Sequence, residues 1–178
     1  MYLLGMPAWE VVGLPDTSVK EARERVRTAI KNSDYEFQSR KIVVNLAPAD
    51  IRKEGTFFDL PIAVGILMNF EEINQINLED TVLVGELSLD GKVNKINGVL
   101  PMCIEAKKLG IKRIILPKEN SLEASIVAGI EIIGVSNLKQ LVNYLNKQEK
   151  IEPELQDINL LFQKQQQYDL DFADVNGQ

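Results

Sequence analysis

Apolar residues recur at helical spacing near the start of the chain, at Val19, Ala22, Val26, Ala29 and Ile30, so this stretch predicts an amphipathic helix. Ser18-Val19-Lys20-Glu21 fits a capping box at its start, after Pro15-Asp16. A strand is predicted over 41–46, then a helix over 60–69 with Asp59 as its cap and Pro61 in its first turn. Residues 81–89 are β-rich, and Asp90-Gly91 is a dipeptide of tight hairpin turns, in which both positions take positive φ. The returning strand is 92–96, broken by Asn97-Gly98. Pro101 then falls in the first turn of a helix over 99–109, Gly110 ends it, and 111–116 reads as a buried strand, a short apolar run after the basic pair Lys112-Arg113 of the kind parallel sheets require. This is a β-α-β crossover. A short helix after Ser121, a strand over 130–134 and a closing helix over 137–146, with Leu138, Leu141, Val142 and Leu145 inward, complete the pattern. The expected class is α/β (α+β), a mixed sheet with packed helices.

Past Lys147 the texture changes. Residues 149–157 are acidic with a proline, and 163–167 are glutamine-rich, so the segment reads as a linker whose composition buries too little apolar area to offset its ordering entropy. Leu160, Leu161 and Phe162 interrupt it, as a docking point or a transient helix. In a chain of 178 residues, 45% hydrophobic and 26% charged, one sizeable core fits. No stretch approaches the roughly 18 apolar residues of a membrane span, and no signal peptide is visible, so the expected location is the cytoplasm, with no membrane partner.

Charge is unevenly shared, with a net +2 over residues 1–53 and a net −8 over 54–178. The acidic whole argues against non-specific polyanion binding and leaves only local patches. Lys20, Arg23, Arg27 and Lys31 fall at i, i+3, i+7 and i+11, on one line along the first helix, and could track a phosphate backbone. Arg52 and Lys53, in a loop, are placed to join them. The competing reading is a solvated face partly neutralised by Glu21 and Glu24, or a surface that meets a neighbouring subunit.

Candidate chemistry is sparse. The chain has no histidine, which removes Ser-His and Cys-His arrangements and histidine-containing metal sites. The single cysteine, Cys103, falls on the apolar face of a helix and reads as a core residue. A phosphate-binding loop needs G-x-x-x-x-G-K-[ST] between strand and helix; the nearest approach, Gly85 to Val93, has one residue too many between its glycines and Val93 where a hydroxyl must stand.

Two resemblances organise these observations. The hairpin Gly85-Glu86-Leu87…Asp90-Gly91 and the run Gly110-Ile111-Lys112-Arg113-Ile114-Ile115-Leu116-Pro117-Lys118-Glu119-Asn120 resemble the proteolytic domain of the Lon family, in which a lysine after paired glycines activates a serine in a K-D-G-P-S-A-G-I-A segment. Here Leu100 holds the lysine position, after Asn97-Gly98-Val99, and Asp59 or Phe57 holds the serine position, according to whether the trailing Ile62-Ala63 or the glycine is aligned. A carboxylate or an aromatic ring facing a leucine cannot do Ser-Lys chemistry. Thr56 is the one nearby hydroxyl, with no obvious base.

The broader resemblance is to the N-terminal domain of the Mg chelatase-like ComM family. It is carried by Val12-Gly13-Leu14-Pro15-Asp16-Thr17-Ser18, Val44-Asn45-Leu46-Ala47-Pro48-Ala49-Asp50-Ile51-Arg52-Lys53-Glu54-Gly55, Phe58-Asp59-Leu60-Pro61-Ile62-Ala63 and the Gly85 hairpin, in that order. It implies a Lon protease-like, ribosomal protein S5 domain 2-like fold over 5–147, missing its first strand, and a linker over 148–178 leading to an AAA+ ATPase module absent from this chain. Met1 to Leu4 precede the matched blocks, and Asp171 to Gln178 resemble the lead-in to that module. The resemblance further implies a homo-hexameric parent acting in DNA branch migration during natural transformation. ATP and Mg would be handled by the absent module; no cofactor, metal or catalytic residue is expected here. The alternatives are a purely structural oligomerisation domain, a residual peptidase and, last, a magnesium chelatase subunit, for which no porphyrin or metal site is visible.

Overall fold

A computed structural model describes residues 9–12, 16–38, 41–45, 56–156 and 158–176. Its elements run β1 (Trp9–Val12), α1 (Asp16–Asn32), β2 (Ile42–Asn45), α2 (Asp59–Asn69), β3 (Thr81–Leu83), β4 (Glu86–Leu87), β5 (Val93–Asn94), α3 (Val99–Lys108), β6 (Arg113–Pro117), α4 (Lys118–Ala124), β7 (Glu131–Val135), α5 (Leu138–Leu145) and α6 (Ile158–Asn176). β3, β6 and β7 form a parallel sheet in that order, β1 pairs in parallel with β2, and β4 with β5 is an antiparallel hairpin. The expected α/β class with a mixed set of strands is what forms.

The parallel sheet explains its own apolar runs. Side chains alternate between the faces of a strand, so a strand covered on both faces is apolar at every position. Ile115 and Ile133 join one cluster with α1, α2 and α5, whereas Ile114, Leu116 and Ile132 join a second with α3 and α4. Val26, Ala29 and Ile30 bring α1 into the first cluster, and Val99, Cys103 and Ala106 bring α3 into the second. Leu138, Leu141, Val142 and Leu145 are buried, as the spacing predicts.

Several local expectations change. The β-rich run 81–89 is two strands, because the chain leaves the parallel sheet at Gly85, where an added Cβ would stand 2.9 Å from Val93 Cγ1 and 3.3 Å from Leu60 Cδ2. The hairpin turn has positive φ at Gly91 alone, +89°. Ser88 N–H bonds the Lys92 carbonyl and Gly91 N–H bonds the Ser88 carbonyl, each at 2.9 Å, closing a three-residue loop with a glycine bulge. The crossover through α3 therefore leads to β6 beside β3, while β5 pairs with β4 and its Val93 N–H bonds the Ser136 carbonyl at 2.9 Å.

Helix starts also move. α1 begins at Asp16, so Ser18 lies inside its first turn instead of capping it. α4 begins at Lys118, ahead of Ser121. Asp59 is not the cap of α2: Phe58 occupies that position without a side-chain bond, and Asp59 is the first helical residue. Its carboxylate turns inward to a partner on α1, since ion pairing of a buried charge outweighs a local cap. Residues 158–176, in the segment expected to be a linker, form the 19-residue helix α6. The missing first strand and the loop over 46–55 lie outside the described residues.

Candidate functional site

Asp59, one of the two positions that align with a serine nucleophile, is a buried and ion-paired carboxylate. Asp59 is 1% exposed, at the head of α2 and against α1 and the hairpin. Arg25 donates to it twice, Nε to Oδ2 at 2.8 Å and Nη2 to Oδ1 at 3.0 Å, and the Leu87 N–H donates to Oδ2 at 3.1 Å. The planar guanidinium matches the carboxylate fork, which a lysine does not. One side chain thus ties α1, α2 and β4 together. Burial raises the Asp59 carboxyl above its ordinary value, the bonds from Arg25 and Leu87 oppose that rise, and the charge of Glu86 adds to it. Arg25 is raised in turn, chiefly by its bond to Asp59. Glu21 reaches Arg25 from the solvent side at 3.8 Å.

Thr56 has a partner that the sequence did not suggest. Its hydroxyl is hydrogen-bonded to Glu86 Oε2, and Asn94 Nδ2 donates to Glu86 Oε1 at 3.3 Å. A carboxylate is a poor base toward an aliphatic hydroxyl, so the pair supplies an anchor for the hairpin and no activated nucleophile. Leu100 stands half-buried in the first turn of α3 and brings only an apolar side chain to the position of the lysine. Asp59, Arg25, Glu86 and Thr56 are brought together. Arg25 and Glu86 were missed because a local motif, such as the Gly85-Glu86-Leu87 hairpin, does not show which distant side chain a charge will meet. The available signal was that Arg25 is the one α1 arginine off the cationic line.

That line runs along α1. Lys20 and Lys31 are exposed and Arg23 and Arg27 half-buried, and helical rise separates the first from the last by about 16 Å. The Arg27 guanidinium lies 5.8 Å from the Phe37 ring centroid, a cation–π contact that fixes its stem. Arg52 and Lys53, proposed to join this patch, lie outside the described residues. Among the described residues no helix is long and apolar enough to cross a membrane, and no group of three acidic or cysteine side chains is placed to hold a metal ion.

Comparison with known proteins places this arrangement. The family described as Subunit ChlI of Mg-chelatase matches residues 2–120. The competence protein ComM of Haemophilus influenzae is 41% identical over 147 residues, which is 83% of this chain and 29% of that protein. The uncharacterized protein YifB of Escherichia coli is likewise 41% identical, over 148 residues, 83% of this chain and 29% of that protein. Lon protease 2 of Bacillus subtilis is 35% identical over 130 residues, 71% of this chain and 22% of the protease. The chain thus spans less than a third of the length of these relatives. With a family match over most of its length and these relatives beside it, the chain belongs to the Mg-chelatase-like ChlI family, with ComM among its relatives.

Proposed function

We propose that this chain is a non-catalytic N-terminal module of a ComM-like AAA+ motor, cytoplasmic and homo-hexameric in its parent, which guides DNA or seats neighbouring subunits while ATP and Mg are handled by a separate ATPase module. The observation that carries this reading is the Asp59 carboxylate, engaged by three donors from Arg25 and Leu87 where a peptidase of this architecture would need a free hydroxyl. With Leu100 at the lysine position, the framework holds its shape without its acid–base pair.

For the DNA role, the cations of α1 are the candidate contacts. Fluorescence anisotropy against single-stranded, duplex and branched DNA at two salt concentrations tests it. Binding that weakens with salt and is lost in Arg23→Glu/Arg27→Glu supports DNA guidance; equal binding by that variant removes it. The half-burial of Arg23 and the packing of Arg27 on Phe37 favour a second reading, in which α1 meets another subunit. Sedimentation then shows self-association that the same variant weakens, with no DNA affinity. A residual peptidase would instead cleave casein and lose that activity in Thr56→Ala.

A further inference from the structure

We propose that residues 148–156 are a latch: a strap that closes the outer edge of β7 and opens independently of the domain beneath it, so that it sets whether the chain leading to α6 is held at that edge or released. β7 is the last strand of its sheet among the described residues. The Glu131 N–H bonds the Lys112 carbonyl on the inner side, so alternation turns the peptide groups of Ile132 and Gly134 outward. The Ile132 carbonyl is met there by the Glu154 N–H at 2.9 Å.

The other fastenings surround that bond. After the turn at Lys147, where φ is +60°, the N–H groups of Gln148 and Glu149 bond the Asn143 carbonyl at 2.8 and 3.2 Å. Ile151 packs against the larger core cluster. The Glu154 carboxylate lies 3.4 Å from Lys118 Nζ and 3.4 Å from Ser121 Oγ, and Gln156 Nε2 donates to the Ile126 carbonyl at 3.1 Å. Residues 148–156 are therefore fastened at Gln148, Glu149, Ile151, Glu154 and Gln156.

Much of the strap is nonetheless loosely held. Pro153 has no N–H, which stops the strap from extending a ladder along β7. The Lys118 and Glu154 side chains are 55% and 25% exposed, and pairs of that kind add little to stability. Leu155 is 83% exposed and buries almost nothing. An open cleft of about 570 Å³, lined by Lys118, Leu122, Glu152 and Leu155 among others, leaves the strap unpacked on one side. By contrast β6 and β7 share a five-residue ladder with Ile114, Ile115, Ile132 and Ile133 buried. Few buried contacts on a main-chain hydrogen bond mark a unit that opens below the energy of global unfolding.

Native-state hydrogen exchange on the full chain, read at single amides by NMR, tests the latch. Expected is a Glu154 amide slowed roughly ten- to a hundredfold against an unstructured peptide, yet much faster than the Ile133 amide. Lys118→Glu is expected to speed Glu154 exchange severalfold while Ile133 stays unchanged, and adding Glu154→Lys to it restores the protection. Glu154→Pro, which deletes the donor, is expected to leave the circular dichroism of the domain and the protection of the Ile133 amide unchanged. A Glu154 amide that exchanges as fast as an unstructured peptide overturns the docking. One that exchanges as slowly as Ile133, and together with it, overturns the independent opening.

Discussion

At the scale of single residues, a carboxylate that sequence alignment sets on a nucleophile turns out to be a structural clamp. Removing one partner of a buried pair strands the other, so Arg25→Met or Asp59→Leu alone is expected to cost about 3–5 kcal/mol in urea denaturation. The double variant is expected to cost less than the sum, because no charge is then left unpaired. A purely additive cycle would mean that the pair contributes no coupling. Cys103 offers a second measurement. Burial pushes its thiol up to about 11 from the ordinary 9.0, so the folded state holds the proton more tightly than the unfolded chain. That contribution is present below pH 9 and is lost as pH rises toward 11. The stability of the native chain relative to Cys103→Ala is therefore expected to fall by about 2–3 kcal/mol across that window, as read by urea titrations at fixed pH. A constant difference would mean that the thiol is more accessible than its burial shows.

Elements report on their glycines. Gly91 holds φ +89°, and a Cβ there would come 2.5 Å from Ser33 Oγ, so the three-residue hairpin loop and the end of α1 both depend on it. Gly91→Ala is expected to cost about 1–3 kcal/mol. Gly65 is the opposite case, an exposed position within α2 with nothing within 4 Å of an added Cβ. Gly65→Ala is expected to stabilise by about 0.5–1 kcal/mol, since it lowers the entropy of the unfolded chain and gains helix propensity. Thermal melts of the two variants in opposite directions check both. Buried Asn120 ties another element: its side chain accepts the Ile96 N–H and donates to the Ile96 carbonyl, each at 2.9 Å, pinning the strand that leads into α3 against α4.

At the scale of the whole molecule the charge is divided, with a slightly cationic first third ahead of an acidic remainder. If α1 contacts phosphates, affinity must fall steeply between 50 and 200 mM salt, with a slope set by the number of phosphates neutralised. Arg23→Glu/Arg27→Glu is expected to flatten that dependence, and anisotropy titrations at several salt concentrations measure it. α6 adds a different surface, with Phe162, Tyr168, Leu170 and Phe172 exposed and the rings of Tyr168 and Phe172 stacked at 5.9 Å.

Much of this was legible in one dimension because the relevant forces act between near neighbours. Helical spacing located α1 and α5 and their buried sides, and Pro101 with Gly110 bounded α3. A short apolar run marked β6, since the interior of a strand covered on both faces has no polar position to offer. Motif order identified the family. Helix starts and strand breaks were misplaced where a distant group decided them: Arg25 drew Asp59 away from capping α2, and Leu60 with Val93 turned the chain out of the sheet at Gly85. The pairing of Thr56 with Glu86, 30 residues away, and the docking of Glu154 on Ile132 are also long-range choices. What the order of residues determined by itself was the periodic pattern, and with it the class of fold. What only folding decided was which charges and peptide groups, far apart along the chain, meet once water is excluded between them, because that energy depends on burial and distance in space.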